Sequence, residues 1–189
     1  RGPIGSATPD DRLSATQFVT GISDQSATSG SSAVVDTSLG SLWRKFGPRY
    51  QVLKQLGVGG MGAVYQAWDN ELGEHVALKV IRPDLVDMGS EPERMFKREL
   101  QLARQVTHKN VIRIHDLGEV SGTKYISMPF VEGADLATIL RERRTLPVAE
   151  AIHFAKQIAP GLSAAHEVGV VHRDLNPANI LISGGLAII

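Results

Sequence analysis

Along YQVLKQL, Tyr50, Val52 and Lys54 fall on one side and Gln51, Leu53 and Gln55 on the other, before Leu56. A period of two predicts a strand buried on one face. GVGGMG follows, too rich in glycine to be anything but a turn. AVYQAWD resumes the alternation, GEH turns again, and VALKVI makes a third strand. Three such runs joined by short turns predict an antiparallel meander.

The period then changes. SEPERMFKRELQLARQV spaces Phe96, Leu100, Ala103 and Val106 as the apolar stripe of a helix. Ser90 and Glu93 have the spacing of a capping box at its start. VIRIHDLGEV and KYISMPFV read as two more strands about an SGT turn. After EGAD the pattern is helical again, with DLATILRER short and VAEAIHFAKQIAPGLSAAHEV long. Pro160 lies inside the long one, where proline costs about 3 kcal/mol relative to alanine, so a kink or a break is expected. NILI and LAII flank SGG as a hairpin. The order predicts an α+β, bilobal fold. A five-stranded antiparallel sheet with one helix comes first, then a mostly helical lobe of which only part is present.

Composition narrows the picture. Residues 1–46 are dominated by Ser, Thr, Gly, Ala and Asp and have neither period, which reads as a disordered leader. Residues 47–131 then hold the first lobe and the link out of it, and 132–189 part of the second. Lys plus Arg equals Asp plus Glu at 20 each, so charge gives no case for a nucleic-acid or anionic-membrane partner. There is no cysteine, which excludes disulfides and thiolate chemistry. No apolar run is long enough to span a bilayer. The start at Arg1 and the stop on an apolar run at Ile189 read as a piece cut from a longer chain.

Three stretches carry candidate chemistry. Gly57, Gly59, Gly60 and Gly62 can let backbone N–H groups approach phosphate oxygens. The segment leads into a strand rather than a helix and lacks Gly-Lys-Ser/Thr, so it fits neither dinucleotide nor Walker loops; a plain glycine hairpin stays open. Lys79 shares a strand face with Ala77, and a lysine facing inward needs a partner. Glu99 borders the buried stripe of the helix and needs one too, so the two are expected to pair; a lysine snorkelling from a strand edge is the alternative. In HRDLNPAN, Asp174 can accept a hydroxyl proton and the Asn179 carboxamide oxygen can bind a hard cation, although a polar turn has the same letters.

LGVGGMGAVYQAWD, VALKV, Glu99 in FKREL, HKNVIRIHD, YISMPFVEGADL and HRDLNPANILI occur together and in order. As a set they resemble the eukaryotic-like (Hanks-type) serine/threonine protein kinases of bacteria, from about residue 48 to the end. The resemblance implies ATP and Mg²⁺ as cofactors and a Ser or Thr hydroxyl of a protein as acceptor. It implies that Gly57, Gly59 and Gly62 cover the phosphates, that Lys79 holds two of them and that Glu99 orients Lys79. Leu56, Val58, Val64, Ala77 and Leu181 would enclose the adenine, with Met128 behind it. Pro129, Phe130 and Val131 would form the hinge, with Val131 supplying the N–H that Pro129 lacks. Asp135 would meet the ribose. Asp174 would be the base, Asn179 a Mg²⁺ ligand, His172 a structural anchor and Arg173 the mark of kinases switched by phosphorylation. A kinase dimer and a cytoplasmic location, with a membrane tether beyond residue 189, also fit the resemblance.

Two departures stand out. The family has lysine where this chain has Asn176, and that lysine carries charge to the transferring phosphoryl group. The chain also stops before the family's Asp-Phe-Gly, whose aspartate binds Mg²⁺. The expectation is an ATP:protein phosphotransferase as parent, with this piece inactive by itself. A nucleotide-binding pseudokinase is the second reading. A small-molecule kinase of related fold is the third.

Overall fold

The computed structural model describes residue 46 and residues 48–59, 62–82 and 91–189. The elements run β1 Tyr50–Gly59, β2 Gly62–Asp69, β3 Glu74–Ile81, α1 Glu91–Ala103, β4 Asp116–Val120 and β5 Thr123–Pro129. They continue as β6 Ala134–Asp135, α2 Leu136–Arg143, α3 Val148–Glu167, a 3-10 turn Pro177–Asn179, β7 Leu181–Ser183 and β8 Leu186–Ile188. The first five strands form one antiparallel sheet in the order β1-β2-β3-β5-β4, and β6-β7-β8 form a second. This is the expected two-lobed α+β layout.

The turns show where the alternation pattern was too coarse. The β2–β3 connection is Asn70–Gly73 rather than GEH, and β3 already begins at Glu74. Asp69 builds that turn. Its Oδ1 accepts from Glu71 N at 2.9 Å and Leu72 N at 3.2 Å, and its other oxygen takes Arg49 Nη2 at 3.0 Å. GVGGMG is mostly strand, with Gly57 opposite Val64, Val58 opposite Ala63 and Gly59 opposite Gly62. Glycine tolerates extended backbone as readily as a turn, so a glycine run alone does not locate the reversal. Gly62 has a second reason to be glycine: its φ is 145°, and a Cβ there would run into the Val80 carbonyl oxygen. The first strand of the VIRIHDLGEV stretch starts only at Asp116. Upstream, Ile112 N donates instead to Ile189 O at 2.7 Å, far from its own sheet.

Both faces of the first sheet are covered. One packs Val64, Ala77, Ile81, Ile126 and Met128 against Phe96 and Leu100 of α1. The other packs Val52, Tyr65, Ala67, Val76 and Leu78 with Tyr50 and Phe46. The α1 stripe therefore faces the sheet through Phe96 and Leu100, while Val106, past the helix end, joins Ala165 and Val170 of the second lobe. The expected capping box of Ser90 and Glu93 lies outside the described residues.

In the second lobe α3 is unbroken across Pro160, so the expected break into two helices does not occur. The proline ring is exposed, and the next residue, Gly161, is buried against Asn110 and Val111. Close packing of that turn holds the helix together where one backbone donor is missing. The SGG hairpin is present between β7 and β8. Gly184 and Gly185 have φ of 55° and 83°, the pair of positive values a two-residue hairpin turn needs.

Candidate active site

A cavity of about 360 Å³ lies between the two lobes, within the usual size range of small-ligand sites. Leu56 from β1, Val64 from β2 and Ala77 from β3 form one wall, and Met128, Pro129, Phe130 and Val131 form the back edge where the chain crosses over. Asp135, Asn179 and Leu181 form the opposite wall. Met128 pairs with Ala77 across β3 and β5, which sets it next to the cavity's apolar end. Gly57, Val58, Gly59 and Gly62 lie in the β1–β2 ladder and are not among the lining residues; Val58 is exposed.

Lys79 lies on β3 between Val64 of β2 and Ile126 of β5, and it is fully buried. Burial pulls its ammonium from the usual 10.5 down to about 7, because a low-dielectric surrounding disfavours the charged form. Glu99 is half-buried on α1, one position before Leu100.

Asp135 starts α2. Its Oδ1 accepts from Thr138 N and its Oδ2 from Thr138 Oγ1, both at 2.7 Å. The carboxylate is thereby held at the cavity wall by the first helical turn. Thr138 also lines the cavity, and sequence reasoning missed it. Its position three residues after an N-cap aspartate is the signal that would have found it. Ile112 and Ile189 line the cavity as well. They meet through a long-range backbone bond, for which the sequence has no local sign.

The loop after α3 carries Asp174 and Asn179. Asn179 is buried, and its Nδ2 donates to the Asp174 carbonyl at 2.8 Å and to Asp174 Oδ2 at 3.0 Å. With the nitrogen committed to two acceptors, Oδ1 is the atom left for a cation, and carboxamide oxygen suits Mg²⁺. No group of three acidic or histidine side chains near enough to hold a metal occurs among the described residues. Arg173 has a φ of 59°, a left-handed value uncommon outside glycine, which turns the chain sharply just before Asp174.

His172 is buried, and neither ring nitrogen has a hydrogen-bond partner among the described residues. Burial lowers its pKa from the ordinary value, with Asp174 pulling the other way. It packs beside Val106, Ile114, Val170 and Ile189.

An antiparallel five-stranded lobe, a crossover edge and a loop that sets a carboxylate beside a carboxamide make a two-lobed α+β fold with a cleft between the lobes. The chain belongs to the protein kinase family: the protein kinase domain profile matches residues 50–189. Among its relatives is serine/threonine-protein kinase PknD of Mycobacterium tuberculosis, 42% identical over 139 residues, covering 74% of this chain and 21% of the relative. Another is serine/threonine-protein kinase PrkC of Bacillus subtilis, 40% identical with the same two coverages. A crystal structure of the Mycobacterium tuberculosis PknI kinase domain is 34% identical with a TM-score of 0.64, covering 75% of this chain and 58% of that domain. The chain thus spans about a fifth of the two curated relatives' length.

Proposed function

We propose that the protein containing this chain transfers the γ-phosphoryl group of ATP to a Ser or Thr hydroxyl of a protein substrate. The observation that carries this reading is the pair of hydrogen bonds from Asn179, which lines the cavity, to Asp174 behind it. A proton acceptor and an oxygen ligand for a cation are locked together beside a space that suits a nucleotide. When bound, ATP supplies the phosphoryl group and Mg²⁺ offsets the charge on its oxygens. The acceptor oxygen attacks γ-phosphorus, the bond to the β-phosphate oxygen breaks, and Asp174 takes the hydroxyl proton. Val64, Ala77 and Leu181 hold the base plane, Asp135 meets the ribose, and Lys79 meets the phosphates with Glu99 orienting it.

The family relationship and the named serine/threonine kinases among the relatives support the reading. The test is transfer of labelled γ-phosphate by the full-length protein, with Lys79→Met and Asp174→Asn as controls. Transfer should be lost in both. Undiminished transfer by Asp174→Asn would remove the base role, and no transfer by the unsubstituted protein would remove the kinase reading. A nucleotide-binding pseudokinase is the second reading, favoured by the uncharged Asn176; ATP binding without turnover is its signature. No helix among the described residues is long and apolar enough to cross a membrane.

A further inference from the structure

Asn176 stands two residues after Asp174 and makes three hydrogen bonds within the loop. Its Oδ1 accepts from Ala178 N at 2.9 Å, capping the 3-10 turn Pro177–Asn179. Its Nδ2 donates to Asp174 Oδ1 at 3.0 Å and, more weakly, to the Asp174 carbonyl at 3.3 Å. The orientation of the amide is set by chemistry. A backbone N–H only donates, so the end facing Ala178 must be oxygen and the end facing Asp174 nitrogen. Asn179 reaches the other carboxylate oxygen, Oδ2, at 3.0 Å.

Each oxygen of the Asp174 carboxylate thus receives one side-chain amide, and the two amides come from opposite ends of the turn. The terminal torsion of an aspartate is broad and nearly two-fold, so one donor leaves the carboxylate plane free to rock. Two donors on two oxygens fix it. Each oxygen keeps a second lone pair to receive a proton. Lysine could not do this, because it has no acceptor for the Ala178 N–H. Asn176 therefore has work of its own here, beyond the absence of a charge.

We propose that Asn176 is a positioning residue for the base, clamping the Asp174 carboxylate in the orientation that takes the acceptor's proton. The inference rests on the phosphotransfer reading above. It predicts an order that a purely structural cap does not. Serine and aspartate both cap as well as asparagine, yet aspartate has no donor for Asp174 and the serine hydroxyl ends one bond short of where Asn176 Nδ2 reaches the carboxylate. Aspartate in addition sets a carboxylate against a carboxylate.

The experiment measures kcat and KM for ATP on the full-length protein with Asn176, Asn176→Ser and Asn176→Asp. The expected result is an unchanged KM for ATP with kcat lowered by about 10- to 100-fold in the serine variant, the scale of a misplaced reacting group, and lower still in the aspartate variant. A second measurement, without nucleotide, follows the Asn176 side-chain amide resonances by NMR; they should shift in Asp174→Ala. If both variants keep the unsubstituted kcat, or if those resonances ignore Asp174→Ala, the positioning role is overturned while the kinase reading stands. If the unsubstituted protein binds ATP and transfers nothing, the kinase reading falls and takes the base role with it.

Discussion

Asn110 donates its side-chain amide to Gln157 Oε1 at 3.1 Å across 47 residues of chain. The same nitrogen donates to the Ala187 carbonyl at 2.6 Å, and Gln157 Oε1 also accepts from Ala187 N at 3.0 Å. Three segments, the loop before β4, the middle of α3 and the β7–β8 hairpin, therefore share one small polar knot. Asn110 is almost completely buried. Asn110→Ala leaves the Ala187 carbonyl without that donor in a buried place, which typically costs about 1–3 kcal/mol. Urea unfolding should show the loss. A change within about 0.5 kcal/mol, the range of an ordinary surface substitution, would mean that the knot contributes nothing.

Gly161 packs against the backbone of the same residue. A Cβ at 161 would lie 3.2 Å from the Asn110 carbonyl oxygen and 3.3 Å from Val111 Cγ2. The carbonyl cannot retreat freely, because it accepts from Ile189 N at 3.0 Å. Alanine gains up to about 1 kcal/mol of helix propensity over glycine. We expect the crowding to outweigh that gain, so that Gly161→Ala lowers the melting temperature. Pro160→Ala, at an exposed position in the same helix, should raise it. The reverse order would refute the packing account of the unbroken helix.

Lys79 makes stability depend on pH in an unusual direction. Its folded pKa of about 7 lies below the unfolded 10.5. Between those values the unfolded chain binds more protons, so stability rises with pH through that window. In mid-window the slope is about 1.4 kcal/mol per pH unit. Lys79→Met should flatten the dependence, read from urea midpoints at pH 7, 8 and 9. In the kinase reading, phosphate beside Lys79 restores its charge, so ATP binding takes up a proton and weakens as pH rises above about 7. Calorimetry in buffers of different ionisation enthalpy measures that uptake, and none at pH 8 would count against Lys79 as a phosphate ligand.

Gly62 and Gly122 both have positive φ, at 145° and 74°, but only Gly62 has a neighbour where a Cβ would go. Gly62→Ala should cost more than the roughly 1–3 kcal/mol of backbone strain alone, because the Val80 carbonyl blocks it. Gly122→Ala meets open space and should cost only the strain. Equal losses in thermal melts would show that the β2–β3 edge yields to an added methyl.

The strands, the helix between them and the final hairpin are legible because burial imposes a period on the chain. Ala77 and Lys79 read as one face of VALKVI and are buried, although Val76 and Leu78 on the opposite face are buried as well. The hairpin reads from SGG because two successive positive φ values all but require glycine. What escapes the sequence depends on distant partners. Val111–His115 has strand-like alternation, but Ile112 finds Ile189 instead of a sheet neighbour. Pro160 looks like a break until Gly161 is seen against Asn110. Asn176 looks like a missing charge. Its bonds to Asp174 and Ala178 lie within two residues, yet the letters do not distinguish that arrangement from an asparagine facing solvent.

Of the four pairings in the first sheet, β1–β2, β2–β3 and β4–β5 join successive strands, and only β3–β5 bridges a longer excursion. Short closures of this kind form early, since little chain entropy is lost before each contact is made. No ladder of that sheet needs a residue beyond Pro129. A chain made from its N-terminus can therefore complete the sheet on the ribosome before α3 and the Asp174 loop have emerged to fold. Ligand cannot assist that step, because Asp135, Asn179 and Leu181, the far wall of the cavity, are translated later.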